Sequence, residues 1–184
     1  MKTTTLLILL LFSTSVTFAQ IKSDYDKDAD FSKYNTYSFA GWAENSDQSI
    51  NDIDKKRILS ALKSEMDERG LELVESGGDA QFTLFVVIDQ KTSTTAYTNY
   101  TGGMGYGGGW GWGYGGMGSA TTTYSEQDYN EGTLVVDMYD TDEKNLVWQG
   151  VITSVVKTKP EKREKNINKK IGKLMKKFPI SASS

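Results

Sequence analysis

Between Thr101 and Ser119 the chain reads TGGMGYGGGWGWGYGGMGS, which places eleven of its eighteen glycines in one stretch. Glycine loses more conformational freedom on ordering than any other residue and brings no side chain to bury. The tract therefore lies outside any core, and the core must be assembled from the sequence on either side. Both flanks, KTSTTAYTNYT and SATTTYSEQDY, are rich in Thr and Tyr, a composition that favours extended strands. Paired with each other they form a long hairpin whose glycine-rich tip displays Tyr106, Trp110, Trp112 and Tyr114. These four rings are the candidate binding residues. Trp and Tyr stack on sugar faces or settle at a lipid headgroup boundary; the alternatives are rings folded back over the domain's own sheet, or a low-complexity spacer.

The remaining elements follow from periodicity. YNTYSFAGW, Tyr34 to Trp42, alternates with the period of two of a half-buried strand and reads as the first strand. NDIDKKRILSALKSEMDERG then predicts a helix: Asn51 can cap it, Asp52 and Asp54 suit its positive end, and Gly70 is placed to stop it. Its narrow apolar stripe is Ile58, Leu59, Leu62 and Met66. QFTLFVVIDQ is a strand whose unbroken Leu84 to Ile88 run predicts a central place covered on both faces. GTLVVDMYD and NLVWQGVITSVV follow, with TDEKN between them as a hairpin turn. The only two prolines, Pro160 and Pro179, bracket a last helix with Ile167, Ile171, Leu174, Met175 and Phe178 along one stripe and lysines on the opposite face, which reads as a solvated face.

The resulting fold class is α+β: one mixed or mostly antiparallel sheet of four or more strands, two helices packed on it, and the long Gly/aromatic-tipped hairpin. A right-handed crossover through the first helix sets the strands on either side of it parallel. Residues 20–184 form one domain.

The chain opens MKTTTLLILLLFSTSVTFAQ, with Lys2, an apolar run from Leu6 to Phe12 and Thr17-Phe18-Ala19 as a cleavage pattern. Residues 1–19 thus read as a secretory signal, too short in its apolar part for the roughly 20 residues of a membrane span. The expected location is periplasmic or secreted, without a transmembrane span. There is no Cys and no His. An exported chain without cysteine relies on packing instead of disulfides and offers no lipid-anchoring thiol. The same absences remove Ser-His-Asp and Cys-His nucleophilic systems and the common zinc sites.

Four ordered motifs, DYDKDADFSKYNTYSFAGW, GTLVVDMYD, NLVWQG and a closing lysine-rich helix ending KFP, resemble the bacterial envelope family catalogued as domain of unknown function 4136. The resemblance covers nearly the whole chain after the signal. It implies a Gram-negative envelope protein, in many members lipid-anchored, with no established biochemical activity. The missing cysteine separates this chain from the lipoprotein members.

Other motifs are weaker. DYDKDAD spaces Asp24, Asp26, Asp28 and Asp30 like a calcium loop, but Ala29 stands where the loop needs glycine and Asn35 where it needs glutamate. GMGYGG and GWGYGG satisfy G-x-G-x-x-G only because glycine is everywhere, and no helix follows to hold a phosphate, so no nucleotide or other cofactor is expected. The net charge of −3 conceals a split. From Lys157 onward there are ten basic and two acidic residues, against ten basic and twenty-two acidic from Ile21 to Val156. The expected function is non-enzymatic binding or scaffolding in the envelope. Candidate partners are an envelope glycan, lipid headgroups, another envelope protein or a second copy added at an exposed Thr/Tyr-rich edge; nucleic acid is not among them. The rival is a small carboxylate-based hydrolase of envelope glycans, for which Glu44, Glu126 and Glu131 are the loop-proximal acids.

Overall fold

A computed structural model describes residues 20–44, 46, 50–101 and 119–182. The elements are β1 (Gln20–Tyr25), a 3-10 turn (Phe31–Lys33), β2 (Thr36–Trp42), α1 (Asp52–Asp67), β3 (Glu72–Leu73), β4 (Ala80–Thr101), β5 (Ser119–Asp140), β6 (Leu146–Val155) and α2 (Pro160–Met175). Among the described residues the strands form one sheet in the order β1-β6-β5-β4-β2-β3. β1, β6, β5 and β4 pair antiparallel, whereas β2 lies parallel to both β4 and β3. The fold is therefore α+β with a mixed sheet, and the crossover through α1 sets β2 and β4 parallel as the sequence pattern requires.

Two expectations need correction. The Tyr34–Trp42 segment supplies the second strand, not the first: Gln20–Tyr25 forms an edge strand on β6, with Ile21 opposite Ile152. Its polar composition, QIKSDY, hides it, because an edge strand packs on few neighbours and Ile21 alone joins the core. The Leu84 to Ile88 run is also not covered on both faces. Phe82, Leu84 and Val86 are buried under the helices, while Phe85 and Val87 on the opposite face stay partly exposed.

The helices lie where their stripes direct them. Ile58, Leu62 and Met66 of α1 and Ile171, Leu174 and Met175 of α2 join the sheet's inner face in one core, with Leu59 and Ile167 packed partly buried at its margin. Asn51 caps α1, its side chain accepting from the Asp54 N–H at 2.9 Å. Arg69, past the end of α1, donates to the Met175 carbonyl at 2.8 Å, a group at the end of α2 that also accepts the Phe178 N–H at 3.1 Å. At the other end, Arg163 of α2 donates to Asp54 of α1 at 2.6 Å. Contacts joining start to start and end to end mean that the two helices run side by side in the same direction.

Trp148 is fully buried, edge-on to Phe178 at 4.9 Å, with its indole N–H donated to Ser23 at 2.8 Å. Gly150 makes room for it: a Cβ there would stand 2.5 Å from Trp148 and 2.7 Å from Leu174. The β5–β6 turn is held by Asp140, which is 2% exposed. One carboxylate oxygen accepts the N–H groups of Asp142 and Glu143, at 2.9 and 2.8 Å. The other accepts the Tyr34 hydroxyl at 2.9 Å and lies 2.6 Å from the Lys33 ammonium. The Glu143 N–H, then Lys33 and Tyr34, outweigh burial and hold the Asp140 carboxyl at about 2.

Because that value lies below the unfolded one, the Asp140 contribution is complete above the ordinary carboxylate range and disappears as pH falls toward 2. Asp140→Asn is expected to lower stability at pH 7 by about 2 kcal/mol and to flatten the stability profile between roughly pH 4 and 2, read by denaturant unfolding across that range. Tyr37 behaves oppositely. Its ring is completely buried, its hydroxyl finds no hydrogen-bond partner among the described residues, and burial, with Asp67 adding to it, pushes the phenol up to about 12. Tyr37→Phe is accordingly expected to leave stability unchanged or raise it by up to about 1 kcal/mol, measured in the same way.

Candidate functional site

The four aromatic candidates, Tyr106, Trp110, Trp112 and Tyr114, lie outside the described residues, as does the 1–19 segment. The strands leading to them are described. β4 and β5 pair continuously from Ala80 opposite Asp140 to Thr101 opposite Ser119. β6 stops at Val155, opposite Glu131, so from Lys91 and Tyr129 outward β4 and β5 form a two-stranded ribbon. Eleven residue pairs at a rise of about 3.3 Å make this arm roughly 35 Å long. Its described side chains, Lys91 to Ala96 and Thr122 to Asp128, are exposed, Tyr124 at 70%. Cross-strand contacts hold its base: Thr92 donates to Asp128 at 2.7 Å and Lys91 pairs with Glu131.

The carboxylates of the hydrolase alternative are not brought together. Glu126 and Glu131 stand five residues apart on one strand, about 17 Å and on opposite faces. Glu131 is ion-paired with Lys91, and exposed Glu44, just past β2, has β4 between it and β5. The Asp24 to Asp30 series is used locally: Asp24 accepts from the Tyr25 N–H, Asp26 from that of Asp28, and Asp30 caps the 3-10 turn through Ser32. Among the described residues no cluster of three or more metal-ligating side chains occurs.

A site not foreseen from the sequence lies beneath the helices where the arm leaves the sheet. It is a cleft of about 120 Å³, floored by β4, β5 and β6 and walled by the first half of α1 and by α2 from Arg163 to Ile171. Its origin is a register pairing. Gly132 of β5 stands opposite Ser154 of β6, one inward-facing step beyond the bulky pair Leu134 and Ile152. Two small residues side by side leave a hole that larger ones would fill. A Cβ on Gly132 would stand 3.2 Å from Val156 and 4.0 Å from Ile88, both of which line the cleft. The rest of the lining is mainly aliphatic, with Ile50, Ile58, Val86 and Ile167 prominent.

Charge at the mouth is one-sided. Asp54 is the only acid of the lining, and its carboxylate is shared between Arg57 at 2.7 Å and Arg163 at 2.6 Å. Lys157 and Lys170 also line the cleft, and neither makes an ion pair among the described residues. Burial, and then the neighbouring Lys173, Lys169 and Lys157, push the Lys170 ammonium below its ordinary value. Arg163 leaves its Nε buried without an acceptor, a position that costs on the order of 1–3 kcal/mol when nothing fills it. Lys170 thus departs from the solvated lysine face expected of α2. The available signal was a glycine and a serine inside otherwise apolar strands, but their juxtaposition depends on a register that the sequence alone does not print.

No helix among the described residues is long and apolar enough to cross a membrane. Compared with the curated proteins the chain matches none. Among solved structures it is similar to a PDZ domain protein from Parabacteroides distasonis, at 10% identity and a TM-score of 0.53, over 90% of this chain but 36% of that one. This is a likeness of fold. It also aligns with the PelC dodecamer from Paraburkholderia phytofirmans, at 9% identity and TM-score 0.47, over 91% of this chain and 100% of the other. A minor lipoprotein from Acinetobacter baumannii aligns at 12% identity and TM-score 0.33, over 79% and 92%. A family model matches residues 21–180, from β1 to just beyond α2. The chain belongs to the family described as domain of unknown function DUF4136.

Proposed function

We propose that the protein is an exported, non-enzymatic binding protein of the bacterial envelope and that the β4–β5 arm carries its contact surface. The observation behind this reading is the ladder that runs on to Thr101 and Ser119, about 35 Å beyond the last strand that flanks it. An isolated polar two-stranded ribbon is marginal in water and presents unpaired edges. A protein that keeps one this long uses it to reach something. Residues 102–118 join the two ends of the arm, and they hold Tyr106, Trp110, Trp112 and Tyr114, ring types suited to sugar faces and lipid headgroups. Export rests on the Leu6 to Phe12 run and the Thr17-Phe18-Ala19 pattern that follows it. A catalytic role would need acids facing one another across a cleft, and Glu44, Glu126 and Glu131 are dispersed.

Tryptophan fluorescence tests this directly, because Trp148 is fully buried and Trp42 is packed against the core. Titration with peptidoglycan fragments, envelope polysaccharide or anionic lipid vesicles is expected to give a saturable shift with one ligand class, abolished in the Trp110→Ala, Trp112→Ala double variant. A shift that survives in the double variant, or none with any of the three, rules out the arm tip as the contact surface for these ligands.

A further inference from the structure

We propose that the cleft beneath α2 is a binding site for a single-chain amphiphile with an anionic head, of the fatty-acid class. The inference does not depend on the arm or on its tip. Three features of one place point to it. The floor is apolar and recessed because Gly132 and Ser154 face each other where the neighbouring layer has Leu134 and Ile152. The rim is basic: Lys157 and Lys170 line the cleft without an acidic partner among the described residues, and the one acid there, Asp54, is already divided between two arginines. Arg163, on the same rim, holds a buried Nε–H with no acceptor.

A purely apolar ligand would leave those donors unanswered, and a purely ionic one would leave the recess empty. An alkyl chain ending in a carboxylate or phosphate satisfies both, the head accepting from Lys170 and Arg163 while the chain lies along Val86, Ile88 and Ile167. The 120 Å³ recess is somewhat smaller than the roughly 150 Å³ cavity that accepts a benzene ring. It therefore encloses only the first several methylenes beyond the head, and a longer chain leaves the cleft along its open side. Affinity should then rise roughly fourfold for each methylene enclosed and level off once the recess is full.

The experiment is isothermal titration of the full chain with butanoate, hexanoate, octanoate and decanoate below their micellar concentrations, alongside amide chemical-shift mapping at Gly132 and Ser154. Octyl phosphate distinguishes a phosphate head from a carboxylate. Octyl glucoside and octyltrimethylammonium are the neutral and cationic controls. Saturable binding by the anionic series, rising with chain length to a plateau and at least tenfold tighter than either control, is expected. Ser154→Leu fills the recess with an apolar side chain and should abolish binding with no loss of thermal stability. Should that variant fail to fold, Lys157→Gln, Lys170→Gln alters only the rim: it should weaken the anions several-fold while leaving the dependence on chain length intact. Equal binding of anionic and cationic amphiphiles, absence of any saturable shift at Gly132 and Ser154, or unchanged binding by a folded Ser154→Leu protein would overturn the proposal.

Discussion

β4 and β5 share one hydrogen-bonded ladder that starts at Ala80 opposite Asp140, in the core, and continues in constant register to Thr101 opposite Ser119. Every other part of the molecule is placed by this pairing. Its inner half is the centre of the sheet: β6 and β1 extend it on one side, β2 and β3 on the other, and both helices cover the same face. Its outer half has no neighbouring strand among the described residues. The change from core to arm follows the sequence. Leu84, Val86, Leu134 and Val136 give way to Thr, Tyr, Ser, Gln and charged residues, so beyond Ile88 the aliphatic face that the helices cover does not continue. One ladder thus carries both the structural core and the segment that reaches away from it.

The cleft is the second consequence of that ladder. With the register fixed by Leu134 and Val136 facing the helices, Gly132 must also face inward, and β6 brings Ser154 beside it. Above them the helices cannot close the gap, since α1 and α2 are pinned at both ends. Asp54 joins Arg163 at their starts, and Arg69 reaches Met175 at their ends. Gly172 of α2 faces α1 across the Glu65 side chain: a Cβ there would stand 2.8 Å from the Glu65 carboxylate, which would have to move aside. The recess therefore persists as a gap in an otherwise close-packed interior, and its basic rim comes from the helix that roofs it, through Arg163 and Lys170, and from Lys157 just before that helix.

Much of this was legible in the sequence wherever a local pattern dictated the outcome. The stripe of α1 and its Asn51 cap, the prolines at the start and beyond the end of α2, the TDEKN turn and the parallel crossover are all as their periodicities and turn residues require. What escaped was decided by pairing across distance. β1 is a polar hexamer that becomes a strand only because β6 offers it an edge. The open face of Phe85 and Val87 reads as buried in a contiguous apolar run, since sequence does not say how many layers lie over a sheet. Asp140 gathers Tyr34 and Lys33 from more than a hundred residues away, and the Gly132–Ser154 pair is twenty-two residues apart in the chain. The glycine-aromatic tract was the most conspicuous feature of the sequence and lies outside the described residues, whereas the cleft carried no conspicuous motif.

Amide hydrogen exchange of the full chain, read residue by residue along β4 and β5, bears most directly on a single ladder that is half core and half arm. Slow exchange is expected for 82–88 and 132–138, where opening requires global unfolding. Protection should then decline outward along Lys91 to Thr101 and Ser119 to Tyr129, remaining above that of an unfolded chain as far as the ladder extends. Complete loss of protection immediately beyond Asp89 and Glu131 would show that no arm exists. Core-like protection along its whole length would show that the ribbon is covered and not free to reach outward.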